Sequence, residues 1–156
     1  MIPRPATPGL EFLTRATIEL EPMLAVGPTP RGERRIYPIE GGRFEGERLS
    51  GTVLPGGADW QLVGADGSAE LDARYTLRTD DDALVYVQNR GMRHGPADVL
   101  AALTRGDAVH PAAYYFRATP RFETGDARYA WLNRAVAVCS GARLAQSVVL
   151  DFYTVQ

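Results

Sequence analysis

The sequence predicts an all-β protein, an antiparallel β-barrel of about 8–10 strands with one short helix near residues 96–105. Three observations predict it. Apolar and polar residues alternate with period two in run after run. Sixteen glycines divide the chain at strand-length intervals. One stretch alone carries both helix start and helix stop signals.

The elements follow in order. Residues 1–11 hold three prolines and a glycine and read as an extended N-terminal arm. From Leu13 to Leu20 the pattern alternates, with Ala16, Ile18 and Leu20 on one face of a strand. "VGPTPRGERR" reads as a loop on its Pro and Gly content. Glycines at 41, 42, 46, 51, 56 and 57 separate short β-type runs and suggest hairpins and strand bends. In "AELDARYTLRT", Leu71, Ala73, Tyr75 and Leu77 share one face, and Asp72, Arg74 and Thr76 the other. "TDDDA" is a turn, and "LVYVQNRG" completes a hairpin. In "GPADVLAALTRG", Pro96 suits the first helical turn, Asp98 the N-terminal dipole, Arg105 the C-terminal end and Gly106 the cap. "AAYYFRATPRFET", "YAWLNRAVAVCSG" and "AQSVVLDFYTVQ" read as three further strands. No linker or repeat divides the 156 residues, so residues 1–156 are expected to form one domain. At this length a chain buries roughly 70% of its unfolded surface.

Composition excludes several classes of function. The net charge of −2 lacks the basic footprint of a nucleic-acid binder. All 17 basic residues are arginine, so no lysine is present for Schiff-base or phosphate-loop chemistry. His94 and His110 are too few and too far apart in sequence for a zinc site, and no metal is expected. "ADGSAELD" has its glycine misplaced for a calcium loop and lacks the closing acid. Neither a dinucleotide glycine motif nor a nucleophile elbow is present, and no cofactor is expected. Cys139 lies in an apolar run and reads as a buried structural thiol. No window approaches the ~20 apolar residues of a membrane helix, and no signal-like segment begins the chain. A cytoplasmic protein without membrane contact is the expectation.

What carries chemistry is a set of polar and aromatic residues inside strand-like runs. Asp59 follows the double glycine of "LPGGADW" and, with Glu123 of "RFET", is a candidate general base. Arg74, Asn89, Arg117 and Asn133 are polar candidates for ligand binding; Trp60, Tyr75, Tyr115 and Trp131 are aromatic ones. Ligand pockets combine an apolar lining with a few placed polar groups. Carboxylate–arginine pairs also seal barrel ends for structural reasons.

The runs "RRIYPIEGGRFEGERLSGTVLPGGADWQ", "LDARYTLRTDDDALVYVQNRG", "YYFRATPRFETG" and "YAWLNR" resemble the domain-of-unknown-function 3237 family, also catalogued as uncharacterised protein family 0311. The resemblance extends from about Phe12 to Val155. It implies an antiparallel β-barrel, mostly from bacteria, without an established general activity. Family motif positions fall on Asp59, Trp60, Asp72, Tyr75, Asn89, Tyr115, Arg117, Trp131 and Asn133, among others. One departure is "TDDDA", where the pattern has an Asp-Gly turn; the hairpin register is in question there. The segment between His94 and Pro111 is variable and would set ligand choice if it covered the barrel mouth.

Two functions from different classes fit. One is a barrel that binds a small aromatic or carbonyl-containing molecule, with Arg74 and Arg117 holding a carboxylate or phenolate. Acid/base chemistry of lyase or isomerase type would then use Asp59 or Glu123, with Arg117, Asn89 or Tyr115 on the developing oxyanion. The alternative is a non-enzymatic homodimeric interaction module with a filled barrel.

Overall fold

The computed structural model describes all 156 residues. Ten strands form one antiparallel sheet: β1 (Leu10–Leu20), β2 (Leu24–Thr29), β3 (Gly32–Glu45), β4 (Gly51–Val53), β5 (Ala58–Val63), β6 (Ala69–Thr79), β7 (Leu84–His94), β8 (Tyr115–Glu123), β9 (Ala137–Arg143) and β10 (Ser147–Val155). Strand β1 pairs with both β10 and β3, which closes the sheet on itself. Beside β3, β1 continues into β2 on one edge and β4 into β5 on the other. The ten segments therefore make an eight-staved barrel, and closure leaves few unpaired edges.

The predicted helix is α1 (Ala97–Arg105), ended by Gly106 in the left-handed conformation at φ 84°. It lies across one end of the barrel. Leu100 touches the β5–β6 turn at Gly67, and Gly106 abuts Ala145 in the β9–β10 turn. Leu103 is buried in the core. The opposite end is filled by Phe44, Leu49, Val85, Val87, Leu132 and Phe152, all at most 2% exposed.

The structure corrects the sequence reading in four places. "VGPTPRGERR" forms a hairpin, not a loop: β2 pairs with β3 from Leu24↔Ile36 to Thr29↔Gly32. Strand β2 pairs on one side only, where its proline costs little, and Thr29 Oγ1 closes the turn by accepting from Arg31 N and donating to Gly32 O. The arm is shorter than expected, because Gly9 and Gln156 exchange backbone hydrogen bonds and Leu10 already pairs with Val155. "ARYAWLNR" (Ala127–Arg134) is a 3-10 helix, and strand structure begins only at Ala137. Asp126 caps it, Tyr129 Oη donates to Asp81 at 2.7 Å and Arg128 pairs with Asp81 at 3.2 Å. These contacts turn Leu132 into the barrel end. One further 3-10 turn spans Pro111–Ala113, so α1 is not the sole helical element.

The glycine-free "TDDDA" turn leaves the hairpin register intact, with Arg78 opposite Leu84. Asp82 takes the left-handed position at φ 70°, which Asp tolerates better than most residues. Thr79 Oγ1 accepts from Ala83 N at 2.8 Å and donates to Asp81 at 2.6 Å.

Candidate functional site

The double glycine places Asp59. Gly56 turns the chain at φ 105°, and Gly57 lets β5 approach β6; a Cβ on Gly57 would sit 2.3 Å from the Arg74 carbonyl oxygen. Strand β5 then alternates, sending Asp59, Gln61 and Val63 inward and Trp60 outward. The β5–β6 ladder is regular at Ala58↔Arg74 and Asp59↔Ala73, then resumes only at Leu62↔Glu70. In that gap the Asp72 N–H donates to Asp59 Oδ1 at 3.2 Å. Gln61 Nε2 donates to Asp59 Oδ2 at 2.8 Å, and Gln61 Oε1 accepts from Arg93 Nη2 at 3.4 Å.

These groups open onto a narrow recess inside the barrel, about 40 Å³ in volume, within some 520 Å³ of atom-free space that includes its mouth. Its walls are mainly apolar, among them Ile18, Ile39, Leu71, Phe116 and Leu150. Asp59, Gln61, Tyr75, Asn89, Arg93 and Arg143 supply the polar groups. Ligand cavities of drug-sized molecules run to several hundred Å³. A ligand larger than a few waters must therefore displace side chains at the mouth, where Arg143 stands.

Burial pushes the Asp59 carboxyl above the usual carboxylate range. Its hydrogen bonds from Gln61 and Asp72 and the charges of Arg93 and Arg143 oppose the rise without cancelling it. Tyr75, 3% exposed, has its phenol pushed strongly upward by burial, a rise that neighbouring Asn89 opposes, and its hydroxyl makes no well-formed hydrogen bond in the protein. Asn89 Nδ2 donates to Cys139 Sγ at 3.4 Å. The Cys139 thiol is pushed up to about 11 by burial, which fits a structural role rather than a nucleophile's.

Of the predicted site residues, Asp59, Tyr75 and Asn89 meet in the recess. The others lie elsewhere. Trp60 and Arg74 face outward, Arg74 against Asp72 at 3.6 Å. Tyr115 is on the outer wall, stacked on His94. Arg117 is exposed and donates to the Phe116 carbonyl. Glu123 is exposed at the filled end. Trp131 lies under Arg48 on the 3-10 helix, and Asn133 bonds the backbone N and O of Thr124. The proposed Arg74 and Arg117 anchors and the Trp60, Tyr115 and Trp131 lining thus do not reach the recess.

Gln61, Arg93 and Arg143 are the recess groups that sequence reasoning missed. Period two would have found them: Gln61 from Asp59, Arg93 from Asn89, and Arg143 from Cys139.

The family described as "Protein of unknown function (DUF3237)" matches residues 8–155. A UPF0311 protein of Rhodopseudomonas palustris is 45% identical over 151 residues, covering 96% of this chain and 99% of the relative. The crystal structure of a conserved protein of unknown function from the same organism has a TM-score of 0.92 at 42% identity, covering 98% of this chain and 100% of that one. A beta-barrel like protein from Acinetobacter baumannii has a TM-score of 0.87 at 46% identity, covering 98% and 99%. A more distant relative, 26% identical over 153 residues (98% of this chain and 87% of the relative), is a hydroalkoxylation enzyme of Penicillium herquei.

Proposed function

The chain belongs to the DUF3237 family, and on that premise we propose that its barrel binds a small aromatic or carbonyl-containing molecule and moves a proton with Asp59. One observation carries this reading: a carboxyl group with a raised pKa faces an apolar recess, anchored by Gln61 and the Asp72 N–H. A carboxyl tuned toward working pH serves as both acid and base.

The hydroalkoxylation activity of the Penicillium relative supports the same chemistry. Adding a hydroxyl across a carbon–carbon double bond needs one proton delivered to carbon and one removed from oxygen. The Asp59 carboxyl gives its proton to one alkene carbon, the hydroxyl oxygen bonds the other, and that oxygen's proton returns to Asp59. Nothing is oxidised or reduced. The reverse reaction is an elimination of lyase type. Tyr75 Oη, which makes no well-formed hydrogen bond in the recess, would donate to a substrate oxygen.

The test uses phenols bearing an ortho alkenyl chain, with cyclic ether formation followed by chromatography. The wild type should convert them, and Asp59→Asn should lose about 10²-fold or more with no fall in its thermal midpoint. Equal turnover by the two proteins would sink the assignment. Saturable stabilisation by these phenols or by aromatic ketones checks binding separately.

A further inference from the structure

The recess holds more positive charge than its own residues balance. Arg93 is 8% exposed, points into the cavity and makes no salt bridge. Its side-chain hydrogen bonding consists of one long contact, 3.4 Å to Gln61 Oε1, although a guanidinium carries five N–H donors. Arg143 lines the same cavity and also has no carboxylate within salt-bridge distance. Nη1 of Arg143 reaches only the Ser147 carbonyl at 3.4 Å, and its guanidinium rests 4.7 Å from the Tyr37 ring centroid. Asp59 is the one carboxylate lining the recess. The two guanidiniums thus leave one excess positive charge when Asp59 is ionised and two when it is protonated.

A buried cation without a partner is costly, and replacing such a group with an apolar one often stabilises a fold. Arg93 is such a buried cation, and half-buried Arg143 shares its cavity; beside the Tyr75 hydroxyl the two call for an anion. We propose that Arg93 and Arg143 form an anion subsite at the barrel mouth, and that the ligand is an organic monoanion, a carboxylate or phenolate on an aromatic or apolar body. The head group sits between the guanidiniums, and the body enters the apolar wall formed by Ile39, Leu71, Phe116 and Leu150. This deepens the preceding reading, on which it rests for the location of the pocket, by fixing the charge of the molecule that enters. It also moves the anchoring role expected of Arg74 and Arg117 to two other arginines. Guanidinium geometry, with paired parallel donors, favours planar oxyanions over isosteric amides.

The experiment compares sodium cinnamate with cinnamamide by calorimetry at neutral pH and constant ionic strength. The two probes share shape and differ in charge. Cinnamate should bind saturably and at least about tenfold more tightly than the amide. Arg143→Gln and Arg93→Met should each weaken cinnamate at least about tenfold, and Arg93→Met should raise the thermal midpoint because a buried unpaired charge is gone. Asp59→Asn should bind cinnamate as well as the wild type or better, since it removes the one nearby negative charge. Equal affinity for the two probes, no saturable binding of cinnamate up to ~10 mM, or undiminished binding in Arg143→Gln would overturn the subsite. Should Arg93→Met fail to fold, Arg143→Gln decides alone. The two readings fail separately. Cinnamate binding without turnover of the alkenyl phenols would remove the Asp59 chemistry and leave the subsite. Full turnover and binding in Arg143→Gln would do the reverse.

Discussion

Asp59 shows how the surroundings of one side chain change its acidity. A carboxyl in water ionises in the ordinary carboxylate range. Inside the barrel, burial opposes ionisation, and two hydrogen bonds with two guanidiniums only partly offset that. The consequence for stability has a definite sign. A carboxyl whose folded pKa lies above its unfolded value contributes most below the unfolded value, and the contribution fades as pH rises through the folded one. Asp66, Asp81 and Asp126, held below the usual range by hydrogen bonds from Ser68, from Thr79 and from Arg128 respectively, act in the opposite sense: their contribution is lost as pH falls. Comparing wild type with Asp59→Asn cancels those shared terms. The variant should gain stability relative to wild type as pH rises from about 4 to 8, read from urea midpoints. A difference that stays constant over that range would mean that folding does not raise the Asp59 pKa.

At the level of elements, the β5–β6 pair makes the site. A regular ladder would use the Asp72 N–H for backbone pairing; the opening between Asp59 and Leu62 frees it for a carboxylate. Gly57 sets that geometry through its contact distance, since any Cβ there meets the Arg74 carbonyl and the Tyr75 side chain. Gly57→Ala should cost about 2–4 kcal/mol in chemical denaturation, because β5 must move away from β6. A loss within about 0.5 kcal/mol would show that the strands shift freely. The element most misread from sequence is the 3-10 helix. "YAWLN" has the aromatic and apolar content of a strand, and ties from Arg128 and Tyr129 to Asp81, remote in sequence, join the local Asp126 cap in holding it as a helix over the barrel end.

Across the whole molecule the two barrel ends are built differently. One is packed solid by Phe44, Val85, Val87, Leu132 and their neighbours, all nearly inaccessible. The other holds a recess, two unpaired guanidiniums and α1 laid between two turns. Stability concentrates where apolar contacts are dense, and binding elements come from the less stable remainder. Native-state hydrogen exchange should accordingly show α1 amides opening locally, while the central amides of β6 and β7 exchange only by global unfolding. Equal protection in α1 and in β6–β7 would contradict that division. No helix is long and apolar enough to cross a membrane.

The sequence by itself determined the β architecture, the helix and its cap, the hairpin around Asp82 and which residues of β6 share a face. Each depends on local chemistry: period-two alternation, capping residues and turn preferences act within a few positions. It also singled out Asp59, because a double glycine ahead of an acid at a strand start is itself a local signal. Parity along single strands, had it been carried through, would have exchanged Arg74 and Arg117 for Arg93 and Arg143. Only the tertiary structure decided which strand faces meet across the barrel. Closure brings β5, β7 and β9 around one recess from distant parts of the chain, and so collects Asp59, Arg93 and Arg143 there. It also raised the pKa of Asp59, because burial and neighbouring charge exist only once the barrel has closed.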